Sequence, residues 1–377
     1  MSSLTMQSTA DLSGGLTFSD LENGGFEQIV MASDASVGMR LVIAIHSTAL
    51  GPAAGGLRIW QYPSEQAAVV DAMRLAQGMT LKYAAAGVDL GGGKAVLIGR
   101  PRGALEGEPL MRAVGRVVDG LGGRFRIGAD VGSTLDDMEN IFTETDHVNT
   151  LPADAGGVGD ISYATARGSV AAIQACAERA WGHADLRGRR IALQGLGMVG
   201  EKAARMLVEQ GAELVVSEID TKRLARVASE LKVRTVEPDE IHRQDVDIFA
   251  PFALGAVVND ETIGEIKARV VVGSANNVLA SDHHADELQE RGIVYGVDFI
   301  ANAGGAIYDA DRLRKGGFVE RRALAKVDAI GDRIRRTFEV ADESGVTPLA
   351  AAYQLAERRL ATFAARRPHS FQYASRT

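Results

Sequence analysis

Along the chain, apolar residues gather in short unbroken runs, and several intervals between them carry helical spacing. The first strong run, Leu41–Ile45, predicts a strand. After Pro63, Ser64 offers an N-cap. Val69, Ala72, Met73 and Ala76 then recur at i, i+3, i+4 and i+7, which predicts a helix with one apolar face. Gly91–Gly93 break the pattern just before Lys94, and Ala95–Ile98 predicts a short buried strand. Leu151–Gly159 is rich in Pro, Ala, Asp and Gly and reads as a linker. Beyond it, apolar runs recur at Ile191–Leu193, Leu214–Val216, Asp247–Phe249, Val270–Val272 and Ile293–Tyr295. Most of the gaps hold room for a helix, the pattern of βα units on a parallel sheet. Arg312–Ala365, rich in Ala, Leu, Arg and Glu, reads as helices.

Composition narrows the class. A chain of 377 residues, 46 % hydrophobic and 24 % charged, predicts two or three ordinary globular domains and excludes collagen, a disordered chain or a disulfide scaffold. Its 43 glycines stand in clusters, which points to ligand sites built from backbone. A formal charge of −8 argues against a nucleic-acid partner. Cys176 is the only cysteine, so no internal disulfide and no cysteine-based zinc site is available, and a reducing, cytoplasmic setting is expected. No apolar run reaches the roughly 18 residues of a membrane helix. Met1–Gly15 carries no Lys or Arg, unlike a secretory signal, and reads as a loose tail; Arg366–Thr377 reads as another.

The most specific signal follows Ile191–Gln194. Gly195-Leu196-Gly197-Met198-Val199-Gly200 is a G-x-G-x-x-G motif with a strand before it and a helical pattern after it. Gly195 permits the tight turn, Gly197 lets backbone approach a pyrophosphate, and Gly200 lets the helix pack against the strand. The helix N-terminus then presents free N–H groups to the phosphates. Glu218 ends the next strand, near the position about 20 residues on where an acid bonds a ribose 2′-hydroxyl. A carboxylate there repels a 2′-phosphate, favouring NAD over NADP; Asp220 is a second candidate, and Lys222 and Arg223 keep NADP open.

Two lysines and an acid are the candidate reacting groups. Lys82 follows the apolar helix face, and Lys94 lies between the glycine cluster and an apolar run. Desolvation and a neighbouring ammonium both lower a lysine pKa and make the amine a usable base. Snorkelling to the surface is the other reading of each lysine. Asp130, within Gly128-Ala129-Asp130-Val131-Gly132, is a turn residue or an acid at the same site.

Gly51 to Lys94, running from Gly-Pro-Ala-Ala-Gly-Gly-Leu-Arg to Gly-Gly-Gly-Lys, resembles the leucine/phenylalanine/valine dehydrogenases, which share a superfamily with glutamate dehydrogenase. Gly128–Thr134, the glycine motif, Gly273-Ser274-Ala275-Asn276-Asn277 and Asn302-Ala303-Gly304-Gly305 continue the resemblance in the same order. It implies an α/β enzyme of two domains with a cleft between them. A substrate-binding, oligomerising domain would span 17–150 and a doubly wound Rossmann NAD-binding domain 151–330. Helices over 331–365 would pack back on the first domain, with tails at 1–16 and 366–377.

The implied activity is NAD-dependent, reversible oxidative deamination of an L-amino acid to a 2-oxo acid and ammonia, in a homo-oligomer. Lys82 would hold the substrate carboxylate, Lys94 would activate water, and Asp130 would move protons at the amino nitrogen. Gly55 and Gly56 would line the substrate carboxylate. One of Asn276 and Asn277 would orient the substrate amine and the nicotinamide; Asn277 is assigned to the substrate and Asn276 to the cofactor. Thr165 would approach the nicotinamide amide.

Side-chain selection rests on three departures from relatives. Ala54 stands where glutamate-specific relatives carry a lysine and leucine-type relatives a bulky residue, so glutamate is disfavoured and space is gained. Ala306 also leaves room for a larger side chain. Asp309 stands where an apolar pocket residue is usual; it either meets a polar or cationic substrate group or pairs with a neighbour such as Arg312. The expectation is a leucine/valine/phenylalanine-type dehydrogenase. The alternatives are a dehydrogenase of a polar or cationic amino acid in a specialised pathway, and a non-catalytic NAD-binding regulatory protein.

Overall fold

The computed structural model describes residues 15–99, 107–253 and 255–366, the side chains of 364–366 excepted. The expected tails lie outside the described residues, apart from 15, 16 and 366. The chain forms two compact units, one of residues up to Gly159 together with those from Ala356 onward, the other Asp160–Leu355.

The first unit opens with α1 (Phe18–Gly24), capped by Thr17. Its sheet comprises β1 (Gln28–Asp34), β2 (Met39–Ser47), β3 (Ala53–Trp60), β4 (Gly91–Ile98) and β5 (Phe125–Ala129), in the order β1-β2-β4-β3-β5. β1 and β2 run antiparallel to their neighbours, while β4, β3 and β5 are mutually parallel. Helices cover both faces, so β2 reads as an unbroken apolar run. Leu41, Ile43 and Ile45 enter one core with Leu110, Met111 and Val114 of α3 (Glu108–Asp119) and Ile141 of α4 (Leu135–Phe142). Val42 and Ala44 enter the other with Ala68, Val69, Ala72, Met73 and Ala76 of α2 (Glu65–Ala85). Ser64 caps α2 as its sequence predicts, accepting a bond from the Ala67 N–H.

β4 begins earlier than its sequence suggests. Gly91–Gly93 lie within the strand, because a side chain there has nowhere to go. A Cβ on Gly92 would stand 2.0 Å from Thr80 Oγ1 of α2, and one on Gly93 would stand 2.8 Å from the Phe125 ring. Close packing of neighbouring elements overrides the low strand preference of glycine. At the far end of α2, the Arg359 guanidinium reaches the carbonyls of Tyr83, Ala84 and Val88 and the Asp89 carboxylate. A cation at a helix C-terminus satisfies its last carbonyls and suits its dipole.

The second unit starts with α5 (Ser162–Trp181). Its sheet comprises β6 (Arg190–Gln194), β7 (Glu213–Ser217), β8 (Arg234–Thr235), β9 (Ile248–Pro251), β10 (Val270–Val271) and β11 (Val294–Tyr295), all parallel, in the order β11-β10-β9-β6-β7-β8. This is the doubly wound Rossmann order, reversing between β6 and β9. α6 (Met198–Glu209) and α7 (Thr221–Leu231) follow β6 and β7, and α8 (His283–Glu290) precedes β11. The helices α9 (Asp298–Ala301), α10 (Gly304–Ala310), α11 (Glu320–Asp328), α12 (Ile330–Ser344) and α13 (Pro348–Arg366) complete the chain.

The expected division points differ from the observed ones. The stretch to Gly159 groups with the first unit, and helices placed after 330 as a return to that unit largely do not leave the second. α12 packs on α5, where the buried Ile330 would stand 2.4 Å from a Cβ on Gly168, and the exposed pairs Arg179–Asp342 and Arg335–Glu178 flank this contact. Only residues from Ala356 rejoin the first.

His46 of β2 is buried beside α2, its Nδ1 2.8 Å from Thr80 Oγ1 and the Phe26 ring edge-on to it. Burial pushes its pKa from 6.5 down to about 4. Above that window the ring is neutral folded or unfolded; within it the unfolded chain binds a proton that the folded chain refuses. Stability therefore falls as pH drops through the window, by roughly 3 kcal/mol. Urea unfolding on either side of the window should show this loss in the native chain and a smaller loss in His46→Gln.

Candidate active site

Lys94 pairs in register with Ala44 of β2 and shares its face of β4 with Val96, toward α2. Asp130 follows the last residue of β5 and lies on the same face. The two meet: Lys94 Nζ donates to Asp130 Oδ2 at 2.6 Å, with only 6 % of the lysine side chain exposed. Burial pulls the Lys94 pKa below its ordinary 10.5, against the opposing attraction of Asp130. For Asp130, burial acts upward, but the Lys94 and Arg58 charges outweigh it and hold the carboxyl below the usual carboxylate range. Ser133 Oγ accepts from the Asp130 N–H and donates to the Leu57 carbonyl, fixing the turn that carries the acid. Asp130 thus sits in a turn and in an ion pair.

Gly56 makes room for this pair. A Cβ on it would stand 2.6 Å from Asp130 Cβ and 2.7 Å from the Ala129 carbonyl. Gly55 points to the opposite face, where a Cβ would stand 1.8 Å from the Gly93 carbonyl. Ala54 is wholly buried at 0 % exposure, so its methyl opens onto no accessible space. Lys82 stands half-buried in the last turn of α2, the turn whose carbonyls Arg359 caps.

Arg58 is a member of this site that sequence reasoning passed over. It closes the Gly-Gly-Leu-Arg stretch, and the alternation of β3 puts it on the same face as Gly56. Its Nε donates to Asp130 Oδ2 at 3.2 Å and its Nη1 to Asp71 Oδ2 of α2 at 3.1 Å. Tyr62 and Arg74 also bond Asp71, at 2.6 and 3.2 Å. The available signal was an arginine at strand spacing from Gly56 facing an acid on the covering helix.

In the second unit, the glycine motif turns from β6 into α6 at the reversal of strand order. Gly195 has φ +94°, and a Cβ on Gly200 would stand 2.0 Å from the Gly195 carbonyl, as the turn-forming and packing roles require. A Cβ on Gly197 would meet nothing within 4 Å, so this backbone is open to an approaching group, and Met198 beside it is exposed. Leu196 and Val199 complete the loop; the Leu196 N–H donates to Glu218 Oε2 at 2.7 Å. Glu218 also accepts from the Asp220 N–H and has Arg223 at 3.6 Å. Asp220, the second candidate for the ribose, is engaged as the N-cap of α7.

Thr165 stands in the first turn of α5 against α10, where a Cβ on Gly305 would lie 2.6 Å from its hydroxyl. Asn276 and Asn277 are exposed after β10, Asn277 with φ +51°. Asn302 Nδ2 donates to Asn276 Oδ1 at 2.8 Å. On α10, Ala306 is partly exposed, whereas Asp309 is buried and accepts from Arg312 Nε at 3.1 Å.

Residues 27–147 match the family model of the Glu/Leu/Phe/Val dehydrogenase dimerisation domain. Residues 156–224 and 216–364 match that of glutamate/leucine/phenylalanine/valine dehydrogenase. The chain belongs to the Glu/Leu/Phe/Val dehydrogenase family. Leucine dehydrogenase of Bacillus subtilis (strain 168) is 45 % identical over 343 residues, 91 % of this chain and 93 % of that protein. Phenylalanine dehydrogenase of Bacillus thermotolerans is 43 % identical over 339 residues, 89 % and 88 % of the two chains. The crystal structure of L-tryptophan dehydrogenase from Nostoc punctiforme superposes with a TM-score of 0.81 at 39 % identity, covering 92 % of this chain and 99 % of that one. As a Glu/Leu/Phe/Val dehydrogenase, the protein is an oxidoreductase acting on CH–NH2 donors.

Gly56→Ala tests the packing of the Lys94–Asp130 pair in this candidate site. The added methyl must push Asp130 from Lys94, and a displacement of about 1 Å costs on the order of 100-fold in turnover. Wild-type kcat in a folded Gly56→Ala enzyme would show that the close approach is not needed.

Proposed function

We propose that the protein catalyses the NAD-dependent, reversible oxidative deamination of an apolar L-amino acid to its 2-oxo acid and ammonia. The observation that carries this reading is the desolvated amine of Lys94 held 2.6 Å from Asp130 in a member of this dehydrogenase family. When bound, the nicotinamide accepts the hydride that leaves Cα. Lys82 holds the substrate carboxylate by charge, with backbone at Gly55 and Gly56 beside it. Lys94, as the neutral amine, takes a proton from the water that adds to the imine carbon. Asp130 receives a proton from the amino nitrogen and returns it as the C–N bond breaks, so ammonia leaves and the oxo acid remains. Burial of Lys94 supports its role, because an amine at the ordinary lysine pKa is protonated at neutral pH.

The second unit fits a dinucleotide. Gln194 Oε1 and Ser217 Oγ, at the ends of β6 and β7, and Asn302 Oδ1 are buried without a protein partner, where open α/β sheets bind ligands. Gly197 presents open backbone to a pyrophosphate, with the N-terminus of α6 behind it. Glu218 retains acceptor capacity for a ribose hydroxyl, which supports NAD; Arg223 beside it and the exposed Lys222 are the features that suit a 2′-phosphate. Thr165 and Asn276 are the residues assigned to the nicotinamide, and Asn277 to the substrate amine.

The pairing of Asp309 with Arg312 supports an apolar substrate over a cationic one, since the acid already has a partner of opposite charge. Space for a larger side chain rests on Ala306 and not on Ala54, which has no accessible surface. The dimerisation-domain match supports a homo-oligomer. Among the described residues no helix is long and apolar enough to cross a membrane. A single buried cysteine supports a cytoplasmic home.

NADH formation from leucine, valine, phenylalanine, arginine and lysine, repeated with NADP, tests the substrate and cofactor reading. The apolar acids should lead and NAD should exceed NADP; arginine or lysine in front would overturn the assignment of Asp309, and Asp309→Val should then reverse the ranking. Lys94→Ala should abolish turnover while NADH still binds, and retained turnover would reassign the base. In the native enzyme, kcat/KM should rise with pH along a limb centred below 10.5 as Lys94 loses its proton.

A further inference from the structure

The ion pair continues away from the reacting groups. Lys94 on β4, Asp130 after β5, Arg58 on β3, and Asp71 and Arg74 on α2 form one chain of alternating charge, with Tyr62 bonded to Asp71 from the loop after β3. Two acids face three cations. The surplus positive charge is the one that Lys94 can release, because the two guanidinium groups stay protonated. When Lys94 loses its proton, Arg58 and Arg74 balance Asp130 and Asp71, and no acid is left without a counter-charge.

We infer that Arg58 is a positioning residue of the reaction: its guanidinium bridges Asp71 of α2 to Asp130, locking the acid against Lys94 and keeping it ionised when the amine is neutral. This rests on the deamination reading above. The geometry requires an arginine. Nε serves one carboxylate and Nη1 the other, at 3.2 and 3.1 Å, and the planar fork fixes the angle between them. A lysine has a single head group and no fork to span both acids. Asp71 is itself held from two further directions by Tyr62 and Arg74, so the bridge is anchored to the helix that covers the sheet. The arrangement ties the catalytic turn after β5 to α2, the helix that also carries Lys82.

The proximity of Arg58 acts on both reacting groups in the same direction, favouring the neutral amine and the charged acid. Arg58→Gln should therefore move the acidic limb of kcat/KM to higher pH by about 1 unit and lower kcat. Arg58→Lys keeps the charge and loses the fork: the limb should stay near its native position while kcat falls on the order of tenfold and KM changes little. An unmoved limb in Arg58→Gln would overturn the inference, as would native kcat in Arg58→Lys, which serves on its own where Arg58→Gln does not fold. Asp130→Asn separates the two readings. Full turnover in that variant would remove the role of Asp130, and the role of Arg58 with it.

Discussion

An amine that the fold refuses to solvate governs this protein. Lys94 is held on a central strand under a helix, where a charge is costly, and the structure answers with Asp130 at hydrogen-bond distance. The compensation is incomplete, since burial still outweighs the attraction of the acid. In the proposed reaction, that imbalance is what makes Lys94 a usable base. Full compensation would leave a stable ammonium and no base; none would leave a neutral amine unable to hold the acid in place.

The glycines follow from the same constraint. Placing Lys94 and Asp130 on one face requires β3, β4 and β5 to lie side by side under α2 with almost no clearance. On that face Gly56 yields space to Asp130 and Gly92 to Thr80; on the opposite face Gly93 yields to Phe125. These glycines, unlike the many that serve turns and helix ends, answer two separate demands. Gly56, Gly92 and Gly93 serve close packing around the strands that carry Lys94 and Asp130, and Gly197 leaves backbone open at the β6–α6 turn.

Much of this was legible in the chain. Leu41–Ile45 and the five later apolar runs all became strands, because a strand buried on both faces has no polar positions to confuse the pattern. The Ser64 cap and the glycine motif carry their meaning locally. What escaped depends on contacts between distant residues. β8 is two exposed residues defined by its neighbour β7 alone. The strand character of Gly91–Gly93 comes from the elements pressed against it. The bond between Arg58 and Asp130 joins residues far apart in sequence, and the strand spacing of Arg58 from Gly56 gives its face but not its partner. Composition marked Arg312–Ala365 as helical without showing where one helix ends or that α5 is the partner of α12.

The discontinuous first unit has a consequence for biosynthesis. The Arg359 guanidinium that caps α2 belongs to a helix near the end of the chain, whereas α2 lies in its first quarter. On the ribosome, the amino-terminal sheet emerges long before this cap exists, and the intervening second unit has time to fold on its own. The helix bearing Lys82 thus gains its terminal anchor only late in translation, after every residue of the second unit has been made.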